Sequence, residues 1–352
     1  MCRSAKMKVS LKIRFYFITA ILLFLTGCFS RTAKIDTPHG IAELSSLDIG
    51  GMEQWILIRG EDHTAPILLW LHGGPGAAQM PVHHAYQRDL EKEFVVVHWD
   101  QRGAGKSNHK GFREETMSLS RFIQDTHELT HYLKERFERE KIFLLGHSWG
   151  TQLGILTIQR YPEDYHAFIS VGQVVHPEKA DSVSWEWLSK HVEVSGSNRQ
   201  KRKFSNLGLP PFDEHDRYVS FAKMIDSFGG GMDVGFGRLA WVSIRAKEYN
   251  MGDYVRWLRG ANRGSGPMWE ETRNFNLFSD VTAIEVPVWF IAGSNDFNTP
   301  IALTLEYYKG LNAVSGKNMV VMEGMAHAPF LGDATQFNQM LINIKKEFTT
   351  EQ

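Results

Sequence analysis

An α/β fold, with a mostly parallel sheet flanked by helices, is predicted by three features of the sequence. First, the apolar run Ile142–Leu145 meets Gly146-His147-Ser148-Trp149-Gly150 and passes at once into a stretch where Leu153, Ile155, Leu156 and Ile158 fall near helical spacing. That is strand, tight turn and helix with a serine at the apex. Second, the apolar runs Val286–Ala292 and Met319–Met322 each end in a polar loop, one carrying Asp296 and the other His327. Third, strand-like sequence stops after Ala167–Val175 and gives way to helix formers and aromatics from Pro177 to roughly Thr282, which reads as a helical cap inserted into the core.

Composition sets the frame. The chain has 352 residues, 43% hydrophobic and 22% charged, which suits a globular protein with a substantial core. Its net charge is −1 and its pI about 7.0, so no nucleic-acid partner is indicated. The basic run Arg199-Gln200-Lys201-Arg202-Lys203 reads as a solvated loop, with weak contact to an anionic surface as the alternative.

The N-terminus reads as a targeting segment. Arg3, Lys6, Lys8, Lys12 and Arg14 precede the apolar Phe15–Leu25, which is short for a membrane span. Leu25-Thr26-Gly27-Cys28 follows and resembles a bacterial lipobox, with Cys28 as the acylated residue. The other cysteine, Cys2, would be removed with the leader, leaving one thiol and no internal disulfide. The expected organisation is a signal peptide over 1–27, a lipidated tether over 28–40, a core over 41–175, a helical cap over 176–283 and the rest of the core over 284–352. The expected location is the bacterial cell envelope, lipid-anchored, and the outer membrane where there is one.

From Ile41 the elements follow in order. Ile41–Ile49 and Met52–Arg59 form a hairpin across Gly50-Gly51. Pro66–Leu71 is a buried-type strand running into His72-Gly73-Gly74-Pro75-Gly76. Phe94–Trp99 is another, leading to Asp100-Gln101-Arg102-Gly103-Ala104-Gly105-Lys106-Ser107, a structural turn in which Asp100 and Arg102 are expected to brace the loops around the site. Ser118–Glu138 is an amphipathic helix before the elbow strand. Ile301–Leu311 and Phe337–Phe348 are later helices. Ser227–Gly237, rich in glycine, is expected to be the most mobile part of the insert.

The chain order Ser148, Asp296, His327 is that of α/β-hydrolases. In such a site His327 takes the proton from Ser148, while Asp296 orients the imidazole and stabilises its charged form. The oxyanion hole would combine a backbone N–H from the glycine loop, assigned to Gly74, with that of Trp149 after the nucleophile.

Together HGGPG at 72–76, DQRGAGKS at 100–107, GHSWG at 146–150, Asp296 in GSNDFNTP and His327 in GMAHAPF resemble the proline iminopeptidase (prolyl aminopeptidase) family of serine hydrolases, over about 40–350. The resemblance implies removal of an N-terminal residue, often proline, from small peptides or amino-acid amides, with no metal and no organic cofactor. It also implies an acidic group that holds the substrate's free amine. Glu186, Glu248, Glu270 and Glu271 are the candidates, with Glu270 first because it precedes the last core strands. Some relatives place a glutamate directly after the triad aspartate; here that residue is Phe297, a further candidate in the substrate site. Two alternatives stand beside this reading: an esterase or other small acyl hydrolase, and a non-catalytic binding lipoprotein on the same scaffold.

Overall fold

The computed structural model describes residues 30–349; the leader and Cys28 lie outside the described residues. The strands are β1 (Ile41–Ile49), β2 (Met52–Gly60), β3 (Ile67–Leu71), β4 (Val95–Asp100), β5 (Ile142–His147), β6 (Tyr165–Val171), β7 (Ala283–Ile284), β8 (Val288–Gly293), β9 (Asn312–Ala313) and β10 (Lys317–Met322). Eight of them form one sheet in the order β1-β2-β4-β3-β5-β6-β8-β10; β7 and β9 pair separately. β1 and β2 form the predicted hairpin, with Ile49 opposite Met52. β2 is antiparallel to β4, and from β4 to β10 every pairing is parallel.

β3, β4, β5 and β8 are buried along their whole length, as strands covered on both faces must be. Side chains alternate between two cores. Leu69, Val97, Leu144 and Phe290 join one; Leu68, Val96, Phe143 and Trp289 join the other. Helices α1 (Leu119–Arg136) and α2 (Trp149–Arg160) cover the first face through Phe122, Leu129, Leu153 and Ile158. Ser118 caps α1 by accepting from the Arg121 amide.

Between β6 and β7 the chain is helical: α3 (Pro177–Ser195), α4 (Asn198–Leu207), α5 (His215–Ser227), α6 (Phe236–Ser243), α7 (Met251–Arg263), α8 (Trp269–Arg273) and α9 (Leu277–Asp280). After β8 come α10 (Ile301–Gly310), α11 (Pro329–Gly332) and α12 (Ala334–Thr349). α12 covers the second sheet face with Phe337, Leu341 and Ile344.

Two local readings change. The basic run 199–203 lies in α4, which opens with a capping box of Ser197 and Gln200 and keeps its cations exposed; strong local capping makes a helix of what charge alone reads as a loop. The strand expected over 167–175 ends at Val171. The insert's aromatics divide among several surroundings. Trp185, Trp187, Phe204 and Phe221 build its own core; Tyr249, Tyr254 and Trp257 pack toward Leu57 and Met80 of the hydrolase core; Trp241 is 56% exposed.

The turn after β4 has a different target from the one expected for it. Arg102 pairs with Asp125 of α1 at 2.9 Å, both side chains being essentially buried, and donates to the Gly50 carbonyl at 3.2 Å. It therefore ties α1 to the hairpin. Asp100 accepts from the Lys106 amide at 2.8 Å and from the Tyr249 hydroxyl, linking core to insert. Burial pushes the Asp100 carboxyl up to about 7 despite these donors.

Candidate active site

Ser148 stands between β5 and α2 at φ 54° and ψ −120°. Such a conformation costs a non-glycine residue roughly 1–3 kcal/mol and persists only where the surroundings enforce it. Here Ser148 N–H donates to the Val171 carbonyl at 3.0 Å, and the Thr151 amide and hydroxyl donate to the Ser148 carbonyl at 2.8 and 2.6 Å. The flanking glycines are obligatory. A Cβ on Gly146 would sit 2.3 Å from the Gly150 carbonyl oxygen, and one on Gly150 would sit 2.2 Å from that of Leu71.

Asp296 and His327 follow the C-terminal ends of neighbouring strands β8 and β10, where ligands bind in open α/β sheets. His327 Nδ1 lies 2.8 Å from Asp296 Oδ2. A carboxylate only accepts, so Nδ1 carries the proton and Nε2 keeps the lone pair. Asp296 is fixed in turn: Oδ1 accepts from the Asn298 and Thr299 amides, both at 2.9 Å, and Oδ2 from the Thr299 hydroxyl at 2.7 Å. Burial works against the imidazolium, but the charge and hydrogen bond of Asp296, with Asp233 farther off, outweigh it and hold His327 above its ordinary value.

The backbone of the histidine loop is held from both sides. The His327 amide donates to the Gly231 carbonyl at 2.8 Å, and the two carboxylate oxygens of Asp233 accept from the Ala326 and Ala328 amides at 2.6 and 2.7 Å. The His327 carbonyl lies 2.8 Å from His147 Nε2. His147 Nδ1 meets the Gln79 amide nitrogen at 2.7 Å, and Gln79 Oε1 accepts from Trp70 Nε1 at 2.7 Å. Burial, then the neighbouring His327, lowers His147 to about 3, so it is a neutral strut. The glycine-rich stretch thus clasps the His327 loop.

Ser148, His327, Gly74 and Trp149 line one cavity of about 170 Å³. As first residue of α2, Trp149 contributes an amide with no partner inside the helix, suited to a developing oxyanion. Its indole points elsewhere, donating to Gln101 at 3.2 Å and packing edge-on to Phe122. The remaining wall includes Asp181, Tyr218, Trp269 and Arg273 from the insert.

A sequence model described as serine aminopeptidase (S33) matches residues 62–216. The chain is 30% identical over 310 residues to the probable aminopeptidase YbaC of Bacillus subtilis, covering 87% of this chain and 97% of that protein. It is 31% identical over 317 residues to a proline iminopeptidase of Lactobacillus helveticus, covering 83% and 93%. Among solved structures, the proline iminopeptidase of Mycobacterium smegmatis superposes with a TM-score of 0.63 at 16% identity, covering 87% of this chain and 98% of that one, which is a likeness of fold.

The chain belongs to the proline iminopeptidase family of α/β-hydrolases.

None of the residues read as a family substrate-binding group lines the cavity. Glu270 and Glu271 are exposed. On α8, Trp269, Thr272 and Arg273 share the face toward the cavity, so 270 and 271 point away, and Glu271 instead accepts from the Leu119 amide at 2.6 Å at the start of α1. Glu186 is exposed, and Glu248 is buried 3.4 Å from His83, outside the cavity wall. Phe297 stacks on Trp187 at 4.2 Å within the insert's core, leaving Asn298, Thr299 and Pro300 to line the cavity. Cys28 lies outside the described residues.

The acid among the described residues that does line the cavity is Asp181. It is 3% exposed and lies 2.8 Å from Arg273 Nη2. Burial raises its carboxyl to about 6, against the pull of Arg273. The sequence carried one usable signal: Pro177, Ala180, Asp181 and Ser184 share a helical face behind the loop from β6. Away from the cavity, His127, His131 and Asp164 bring three ligand-type atoms within 4.8 Å of one another, but Lys134 already pairs with Asp164.

Proposed function

We propose that the enzyme releases the N-terminal residue of small peptides or amino-acid amides through an acyl-enzyme. Ser148 Oγ attacks the first carbonyl as its proton passes to His327 Nε2. The Gly74 and Trp149 amides hold the oxyanion. His327 then protonates the leaving amine, and water, deprotonated by the same imidazole, releases the acid. Asp181 receives the substrate's ammonium group.

The observation that carries this reading is the buried carboxylate of Asp181 in the wall of the cavity shared by Ser148 and His327. Its carboxylate, paired with Arg273 on one side, is the acidic acceptor that the cavity offers to a cationic amine. The small cavity, against roughly 300–1,000 Å³ for ordinary ligand pockets, supports a single compact residue as its occupant. The test is hydrolysis of proline and other amino-acid anilides beside N-blocked versions and short acyl esters, with Ser148→Ala as control. Cleavage of the free-amine anilides alone is expected; cleavage of esters alone would refute the proposal and leave the esterase reading.

A lipid anchor at Cys28 belongs to the same proposal, supported by Leu25-Thr26-Gly27-Cys28 behind an apolar run. Mass spectrometry of the mature N-terminus is expected to show acylated Cys28, and an intact Met1 would overturn it.

A further inference from the structure

We propose that the surface formed by α6, α7 and the residues joining them rests on an anionic phospholipid bilayer. Six of the nine exposed large apolar side chains among the described residues fall in this one stretch: Phe236, Trp241, Ile244, Met251, Val255 and Leu258. Met251, Val255 and Leu258 are spaced i, i+4, i+7 and form a stripe along α7. The hydroxyl of Tyr254 donates to the Ser243 carbonyl at 2.5 Å and fixes α7 to the end of α6.

The charges around these side chains have one sign. From Gly235 to Gly264 the exposed ionic groups are Arg238, Arg245, Lys247, Arg259 and Arg263, whereas the stretch's two acids, Glu248 and Asp253, are 3% and 0% exposed. Arg256, half-buried, is neutralised by Asp253. The acid reaching in from outside is Glu114, 4.0 Å from Arg263. Arg245 lies over the Trp241 ring at 4.2 Å. Exposed apolar side chains ringed by arginine and lysine suit a helix lying in a lipid headgroup layer. No described helix is long and apolar enough to cross a membrane, so the contact is peripheral.

The path of the chain names the occupant. Ser30 donates its hydroxyl to Asp253 at 2.9 Å, and the Arg31 amide donates to the Lys247 carbonyl at 2.9 Å, so the N-terminal tether leaves the protein at this surface. Ser30, held against α7, stands two residues after Cys28 in the sequence, a length of chain that spans at most about 7 Å. On the proposed anchor, Cys28 carries the lipid of the mature protein. A bilayer holding that lipid would meet the α6–α7 face first.

The test is hydrogen–deuterium exchange of the full chain on phosphatidylglycerol-containing vesicles, on phosphatidylcholine vesicles and without lipid. Protection over 236–263 is expected on the anionic vesicles alone, whatever the N-terminal segment itself does. Replacing the cations (R238E, R245E, K247E, R259E) is expected to abolish that protection and weaken partition by at least about tenfold. A second variant (W241S, I244S, M251S) is expected to abolish it too; each must keep the parent's near-ultraviolet circular dichroism. Protection confined to residues before 30, equal protection on phosphatidylcholine, or lipid-free protection that grows with protein concentration and so marks a second copy, would each overturn the proposal.

Discussion

Replacing Asp181 by asparagine tests the site at its least redundant point. The carboxylate is 3% exposed, so solvent screens little of its attraction for an ammonium group. A hydrogen bond to a charged partner contributes about 1.5–3 kcal/mol, equivalent to a roughly 10- to 150-fold loss in kcat/KM for substrates with a free amine. The upper end is expected. A neutral amide at this position would leave Arg273, now 2.8 Å from the carboxylate, without its counter-charge and facing the incoming cation. N-blocked anilides carry no such charge and should lose little. The assay is kcat/KM for a matched pair, the proline anilide and its N-acetyl form, in parent and variant. The pH dependence gives an independent check. With the Asp181 carboxyl at about 6, the parent's preference for the free amine should shrink as pH falls through that value, and the variant should show no such change. Equal losses for the blocked and free substrates would refute the reasoning, because they would make Asp181 a structural residue rather than an amine receptor.

Asp296→Asn removes the acceptor that fixes the His327 tautomer and should lower kcat by about 10⁴ with much less effect on KM, read from steady-state kinetics. Asp233→Asn removes one of the charges that hold His327 up. The neutral imidazole is the base, so activity falls as pH drops through the His327 pKa, and the variant's acid limb should move to lower pH than the parent's in a kcat/KM profile. Asp125→Asn breaks the buried pair with Arg102 and should cost about 3–5 kcal/mol in urea unfolding, with residual activity per folded molecule unchanged.

The sheet and the triad were legible because their signals are local. An apolar run ending in Gly-x-Ser-x-Gly names a strand, a turn and a helix at once, and the fold adds only how tightly Gly146 and Gly150 are enclosed. The hairpin at Gly50-Gly51 is equally local. What failed was whatever depended on a helical face in the insert. Glu270 and Glu271 lie at the expected place in the chain, but a turn of about one hundred degrees per residue puts Trp269 and Arg273 in the cavity and the glutamates in solvent. Asp181 escaped notice because it belongs to no motif; its role depends on where α3 lies over the mouth of the sheet. Phe297 was assigned by position beside Asp296, and the turn that lets the Asn298 and Thr299 amides reach Asp296 sends its ring into the insert instead.

The glycine-rich segment 227–237 changes how the insert should be understood. Its composition suggests mobility, yet Gly231 and Asp233 take up three consecutive amides, those of Ala326, His327 and Ala328. The Phe297 amide, next to Asp296, donates to Gly230 at 2.9 Å. The loops carrying Asp296 and His327 are therefore both fastened to the insert, the His327 carbonyl also to His147 of β5, whereas the Ser148 turn is fastened to the core through Val171 and Thr151. In the proposed mechanism specificity and rate would therefore be set by one insert: the helices that supply Asp181 and Trp269 to the cavity wall belong to the same insert as the segment that holds the His327 loop.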